Sequence, residues 1–162
     1  MADVNIKPIT RLLVANRGEI ARRIFRTAHE MGIATVAIYA DSDARAPFVH
    51  EADSAIALQG QTSAETYLDA EKVYAACVAS GADAVHPGYG FLSENARFAE
   101  AIMKRDITWV GPPTHAIEQM GDKLSAKQAM TDAGVPTLPA RELNVGDDLA
   151  KAADAIGFPV LV

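Results

Sequence analysis

RLLVANRGEIARRIFRTAHEMGIATVAIY, residues 11–39, decides the fold. It opens on a short apolar run, RLLVA (11–15), followed by the turn NRG. In the next stretch Ile20, Ile24, Ala28 and Met31 step by four, four and three. That spacing keeps one face of a helix apolar. Gly32 stands where a left-handed residue closes a helix. ATVAIY (34–39) is then rich in β-branched and aromatic side chains, as a strand is. The segment reads strand, helix, glycine, strand.

The rhythm continues outward. SAIAL (54–58) reads as a strand, and LDAEKVYAACVAS (68–80) as a helix with Val73 and Cys77 on one side and Gly81 at its end. ADAVH (82–86) is a strand, ENARFAEAIMKR (94–105) a helix with Phe98 and Ile102 in register, and ITWVG (107–111) a fifth strand. Apolar strands alternating with helices argue for a parallel sheet covered on both faces. The expectation is an α/β, Rossmann-like doubly wound sheet over residues 8–113. Past the Gly-Pro-Pro at 111–113 the character changes. HAIEQM (115–120), DKLSAKQAMTDA (122–133, with Asp122 as cap) and GDDLAKAADAI (146–156) read as helices, and FPVLV (158–162) as the opening of a strand. A strand of that type needs neighbours on both sides, so residues 114–162 read as the incomplete start of a second domain.

Bulk properties narrow the function. The 162 residues are 49% apolar and 22% charged, with net charge −6. That is ordinary globular composition. An acidic chain without a basic stripe is a poor partner for nucleic acid or an anionic membrane. No apolar run approaches the roughly 18 residues a membrane span requires, and MADVNIKPIT lacks the apolar core of a secretion signal. Cys77 is the single cysteine, which suits a packed core thiol in a reducing compartment. A cytoplasmic location is expected.

Two loops draw attention. GYGFLS (88–93) follows a strand and opens a helix, but Ser93 stands where a dinucleotide loop has its third glycine. ANRGE (15–19) precedes a second strand followed by Asp41, but Gly18 is its only glycine. An NAD-binding oxidoreductase is therefore the weaker alternative. In a 3-2-1-4-5 strand order the first and fourth strands are neighbours at the switch point, so both loops line one crevice. Pro87 stiffens the second loop, its glycines permit close approach, and Ser93 is the expected cap of the helix opening at Glu94. Tyr89, between two glycines, is either presented to a ligand or packed on a neighbour.

The remaining candidates are charged. On the first helix, Glu19 with Arg23 and Arg26 with Glu30 have the spacing of paired side chains, on a face that is solvated or an interface. A non-catalytic association module is the other alternative. Lys123, in MGDK, stands in the first turn of a helix, against the helix dipole. It suits that position if an anion such as phosphate sits there. His29, His50, His86 and His115 have no metal-ligand spacing, and no nucleophile triad stands out. There is no Walker glycine loop.

VANRGEIA (14–21), HPGYGFLSEN (86–95), GPP (111–113) and MGDKLSAK (120–127) resemble, in order and spacing, the landmarks of the biotin carboxylases, most of all those of acyl-CoA carboxylases. The resemblance implies a Rossmann-like domain of the pre-ATP-grasp type leading into an ATP-grasp domain cut short. It implies a parent ligase that activates bicarbonate with ATP and magnesium, as carboxyphosphate, and carboxylates biotin on a carrier. By the same resemblance Lys123 contacts ATP phosphate, and Tyr89, Gly90 and Glu94 lie on the biotin side. Arg23, Arg26 and Glu30 belong to a homodimer interface. A biotin carboxyl carrier and a carboxyltransferase are the implied partners. The family's glycine-rich lid, metal carboxylates and catalytic groups lie beyond the motifs found here. No catalytic or metal-binding residue is therefore expected within this chain. The 162 residues alone are expected to be inactive and to hold none of the cofactors tightly.

Overall fold

The computed structural model describes residues 7–141, 143 and 145–160. The chain divides into two compact units, Met1–Glu118 and Gln119–Val162.

The first unit follows the expected rhythm. In order it contains β1 (Arg11–Val14), α1 (Gly18–Glu30), β2 (Ala34–Tyr39), a 3-10 turn (Asp41–Asp43), α2 (Pro47–Glu51), β3 (Ser54–Ala57), α3 (Ala70–Ser80), β4 (Ala84–His86), α4 (Ala96–Met103) and β5 (Thr108–Trp109). α5 (Thr114–Gly121) then carries the chain onward. The sheet order is β3-β2-β1-β4-β5, and all four pairings are parallel. Alternate strand residues point to opposite faces. Leu13, Val36, Ile38 and Val85 pack with Val73 and Cys77 of α3, and with Phe98 and Ile102 of α4. Their neighbours Leu12, Val14, Ala37 and Ala84 pack with Phe25 of α1 and Phe48 of α2. Helices thus cover both faces, and the sheet is doubly wound. Burial pushes the Cys77 thiol up to about 12, so it is a core side chain and not a nucleophile.

Three local expectations are corrected. First, α1 buries Ala21, Phe25 and Ala28; Ile20 and Ile24 are only half-buried, and Met31 is 69% exposed. The helix is turned by less than the about 100° that separates neighbouring residues, since Ala28 stays buried, and its aromatic ring enters the sheet. Second, α4 begins at Ala96 under an Asn95 cap, not at Glu94 under Ser93. The amides of Ser93 and Asn95 are taken up in turns to Gly90 and Leu92. The Asn95 side chain then accepts from Phe98 N at 3.0 Å. Third, α2 was not anticipated; Pro47 starts it and Phe48 and Val49 are buried.

Carboxylates tie the strand starts together. Asp83 accepts from the Thr10 amide (2.9 Å), the Thr10 hydroxyl (2.5 Å) and the Arg11 amide (3.0 Å). Burial alone would raise its pKa, but those hydrogen bonds outweigh it and hold the carboxyl below its ordinary value. Asp53 is likewise held low by the Thr35 amide and hydroxyl, with His29 beside it. A carboxyl lowered on folding contributes stability that is complete above its unfolded value, near ~4, and is lost as pH falls through the folded value. The melting temperature should therefore drop steeply between about pH 4 and 2. Asp83→Asn should lower it at pH 6 and flatten that acid limb; an acid limb equal to the parent's would reject the assignment.

The second unit contains α6 (Lys123–Asp132) and α7 (Leu149–Ile156). Asp122 caps α6, accepting from Ser125 N at 2.7 Å, as the sequence predicts. Leu138 is 83% exposed and Phe158 74%, so apolar side chains of this unit stay uncovered. The expected strand at 158–162 falls partly outside the described residues, and Phe158–Val160 are irregular. Among the described residues no helix is long and apolar enough to cross a membrane.

Candidate functional site

The first unit places its candidate site at the C-terminal ends of β1 and β4, adjacent in the sheet. Two loops converge there, 16–18 from β1 and 87–90 from β4. Asn16 joins them. It is 3% exposed, and its Nδ2 donates to the carbonyls of Pro87 and Tyr89, both at 2.8 Å. Its Oδ1 accepts from the Arg17 amide at 2.9 Å. Gly88 has φ +66°, a left-handed backbone, and a Cβ there would stand 2.8 Å from Asn16 Nδ2. The loop approaches this closely only because residue 88 has no side chain.

His86 ends β4, and its Nδ1 accepts from the Gly88 amide at 3.0 Å. Burial lowers its pKa, so at pH 7 the ring is neutral with its proton on Nε2. Tyr89 is 59% exposed, which favours the presented ring over the packed one. Its hydroxyl donates to Glu19 in the first turn of α1. The carboxylate acceptor raises the phenol pKa.

A second network braces the same loops from the β2 side. Arg17 pairs with Asp43 at 3.1 Å and lies 5.8 Å from the centre of the Tyr67 ring. Tyr67 donates to Asp43 at 2.6 Å and stacks on Phe91 at 5.1 Å. Burial first, and then Asp43, raise the Tyr67 pKa, so the phenol stays protonated. One oxygen of the Asp41 carboxylate accepts from the Gly60 amide at 3.1 Å, which ties the end of β2 to the loop after β3.

The helix pairs expected from spacing do not form. Glu19 turns to Tyr89, and Arg22 reaches Glu51 of α2 at 2.7 Å. Among the described residues, Arg23, Arg26 and Glu30 form no ion pair; they line the exposed face of α1. Beside Arg23 and Arg26 runs an apolar groove of ≈ 430 Å³ lined by Ile9, Ile20, Ile24 and Met31. Glu94 is exposed in the turn before α4, and Gly90, also at φ +66°, opens that turn. Within the second unit, Lys123 is the first residue of α6 and is exposed, with no ion pair among the described residues. Among the described residues no group of three or more His, Cys, Asp or Glu could hold a metal ion. Sequence reasoning placed both loops and Tyr89 but missed Asn16 and Glu19 as their fasteners.

Residues 8–117 match the family described as the biotin carboxylase N-terminal domain. The propionyl-CoA carboxylase alpha chain of Ruegeria pomeroyi is 47% identical over 154 residues, which are 94% of this chain and 23% of that one. The biotin carboxylase of Nostoc sp. is 46% identical over 154 residues, 94% of this chain and 34% of its own. The solved biotin carboxylase domain of a thermophilic 2-oxoglutarate carboxylase, bound to bicarbonate, superposes with a TM-score of 0.84 at 44% identity; 94% of this chain and 35% of that one are covered. The chain thus spans between a fifth and a third or so of the length of such relatives.

Proposed function

The chain belongs to the biotin carboxylase N-terminal domain family, and on that premise we propose that it forms the N-terminal segment of an ATP-dependent biotin carboxylase within an acyl-CoA carboxylase. Residues 8–113 are its Rossmann-like domain and 114–162 the opening of its ATP-grasp domain. The exposed Leu138 and Phe158 support the second half of that reading, because they leave a core still to be covered. The observation that carries the proposal is the junction of the family's two loop motifs, which Asn16 fastens and which presents Tyr89.

In this reading Tyr89, Gly90 and Glu94 form the biotin-side wall. Lys123 supplies a cation to ATP phosphate, and its ammonium, without an ion pair among the described residues, stands at the start of a capped helix where an anion fits. When bound, ATP supplies the phosphoryl group that activates bicarbonate. The described residues offer magnesium no cluster of ligands. No catalytic group is assigned within the chain. The α1 face carrying Arg23, Arg26 and Glu30 is the homodimer surface. A biotin carboxyl carrier and a carboxyltransferase are the partners, and the cytoplasm is the compartment.

A graft in which this chain replaces the matching segment of the Nostoc biotin carboxylase tests the assignment of Lys123. A charge-assisted hydrogen bond is worth roughly 1.5–3 kcal/mol. Lys123→Gln should therefore raise the KM for ATP roughly 10- to 100-fold and leave the KM for biotin near its parent value. An unchanged KM for ATP would remove Lys123 from the site.

A further inference from the structure

We propose that Asn16 is the positioning residue of the Tyr89 loop: it holds the backbone of that loop while Glu19 holds the phenol. This rests on the reading of residues 86–90 as the substrate-side wall.

The geometry is economical. Asn16 follows β1 directly and is 3% exposed. Both protons of its amide are used, one on the Pro87 carbonyl and one on the Tyr89 carbonyl, each at 2.8 Å. Its own oxygen is satisfied by the Arg17 amide. Between the two carbonyls lies Gly88, whose bare α-carbon allows the side chain to seat. Aspartate would set an oxygen against the two carbonyls. Alanine would leave both without their donor, and an unpaired buried acceptor is costly. The far end of Tyr89 meets Glu19, three residues beyond Asn16. The ring is therefore held from both ends by residues 16 and 19, around a sharp strand-to-helix turn. The orientation of an exposed ring at 89 is set by the segment after β1, about 70 residues earlier.

The test uses the 162-residue chain. The ionisation of Tyr89 is isolated by ultraviolet titration as the difference from Tyr89→Phe. In the parent it lies above the ordinary tyrosine value because Glu19 accepts the proton. The uncharged variants Asn16→Leu and Asn16→Ala should move it toward the midpoint seen in Glu19→Gln, with the far-ultraviolet circular dichroism unchanged. A midpoint that stays at the parent value in both variants, while Glu19→Gln shifts it, would overturn the proposal. If the variants do not fold, the unmodified chain decides. Both side-chain amide protons of Asn16 should exchange roughly tenfold or more slowly than those of exposed Asn95; equal rates would overturn it. In the graft, Asn16→Ala should raise the KM for biotin roughly tenfold or more and spare the KM for ATP. Equal changes in both, or none, would reduce Asn16 to a structural residue. The titration and exchange need no turnover, so a graft without activity speaks against the proposed function and leaves the test of Asn16 standing.

Discussion

Phe25→Ala is expected to destabilise the first unit by about 3–5 kcal/mol. Phe25 is 1% exposed and packs with Val14, Ala37 and Phe48 on one face of the sheet. Truncating it removes a full aromatic ring from water-free contact and leaves a cavity that β1 and β2 cannot close, since both are held in register by neighbours. Met31→Ala, on the same helix but 69% exposed, should change stability by less than about 0.5 kcal/mol. Urea unfolding followed by the fluorescence of Trp109, the single tryptophan, reports this unit. Losses of similar size in the two variants would mean that α1 presents a different face to the sheet.

The second large effect concerns the loop that Asn16 fastens. Gly88 and Gly90 share φ +66°, so alanine at either costs roughly 1–2 kcal/mol in left-handed strain. They differ in what a Cβ meets. At Gly90 nothing lies within 4 Å; at Gly88 the Asn16 side chain stands at 2.8–3.1 Å. Gly88→Ala should therefore cost a further 1–3 kcal/mol, about what overpacking costs, and should loosen Tyr89. Gly90→Ala should cost only the strain. The difference between the two variants, read in the same unfolding experiment, isolates the close approach. Equal losses would contradict it.

Much of this was legible in the residues. ATVAIY is a strand from its first residue to its last, and the order 3-2-1-4-5, assumed for a Rossmann-like sheet, is the one observed. Gly81 closes α3 at φ +66°, and Asp122 caps α6, because glycine and aspartate have local chemistry that needs no distant partner. The rotation of α1 was not legible. Ile20 and Ile24 form one acceptable stripe and Ala21 and Phe25 another, and a 3.6-residue period does not choose between stripes one residue apart. The site followed the same division. Its loops were visible from glycine, proline and their place after strands. Its fasteners were not, because Asn16 and Glu19 act on residues about 70 positions away. Spacing suggested Arg23 for Glu19, and the fold supplies Tyr89 instead.

Bicarbonate-dependent ADP release by the graft, with and without free biotin, tests the central claim most directly. If these residues are the N-terminal segment of a biotin carboxylase, the graft should release ADP in response to bicarbonate and respond to biotin, while the 162-residue chain alone should release none. A folded graft that binds ATP but releases no ADP on addition of bicarbonate would contradict that claim.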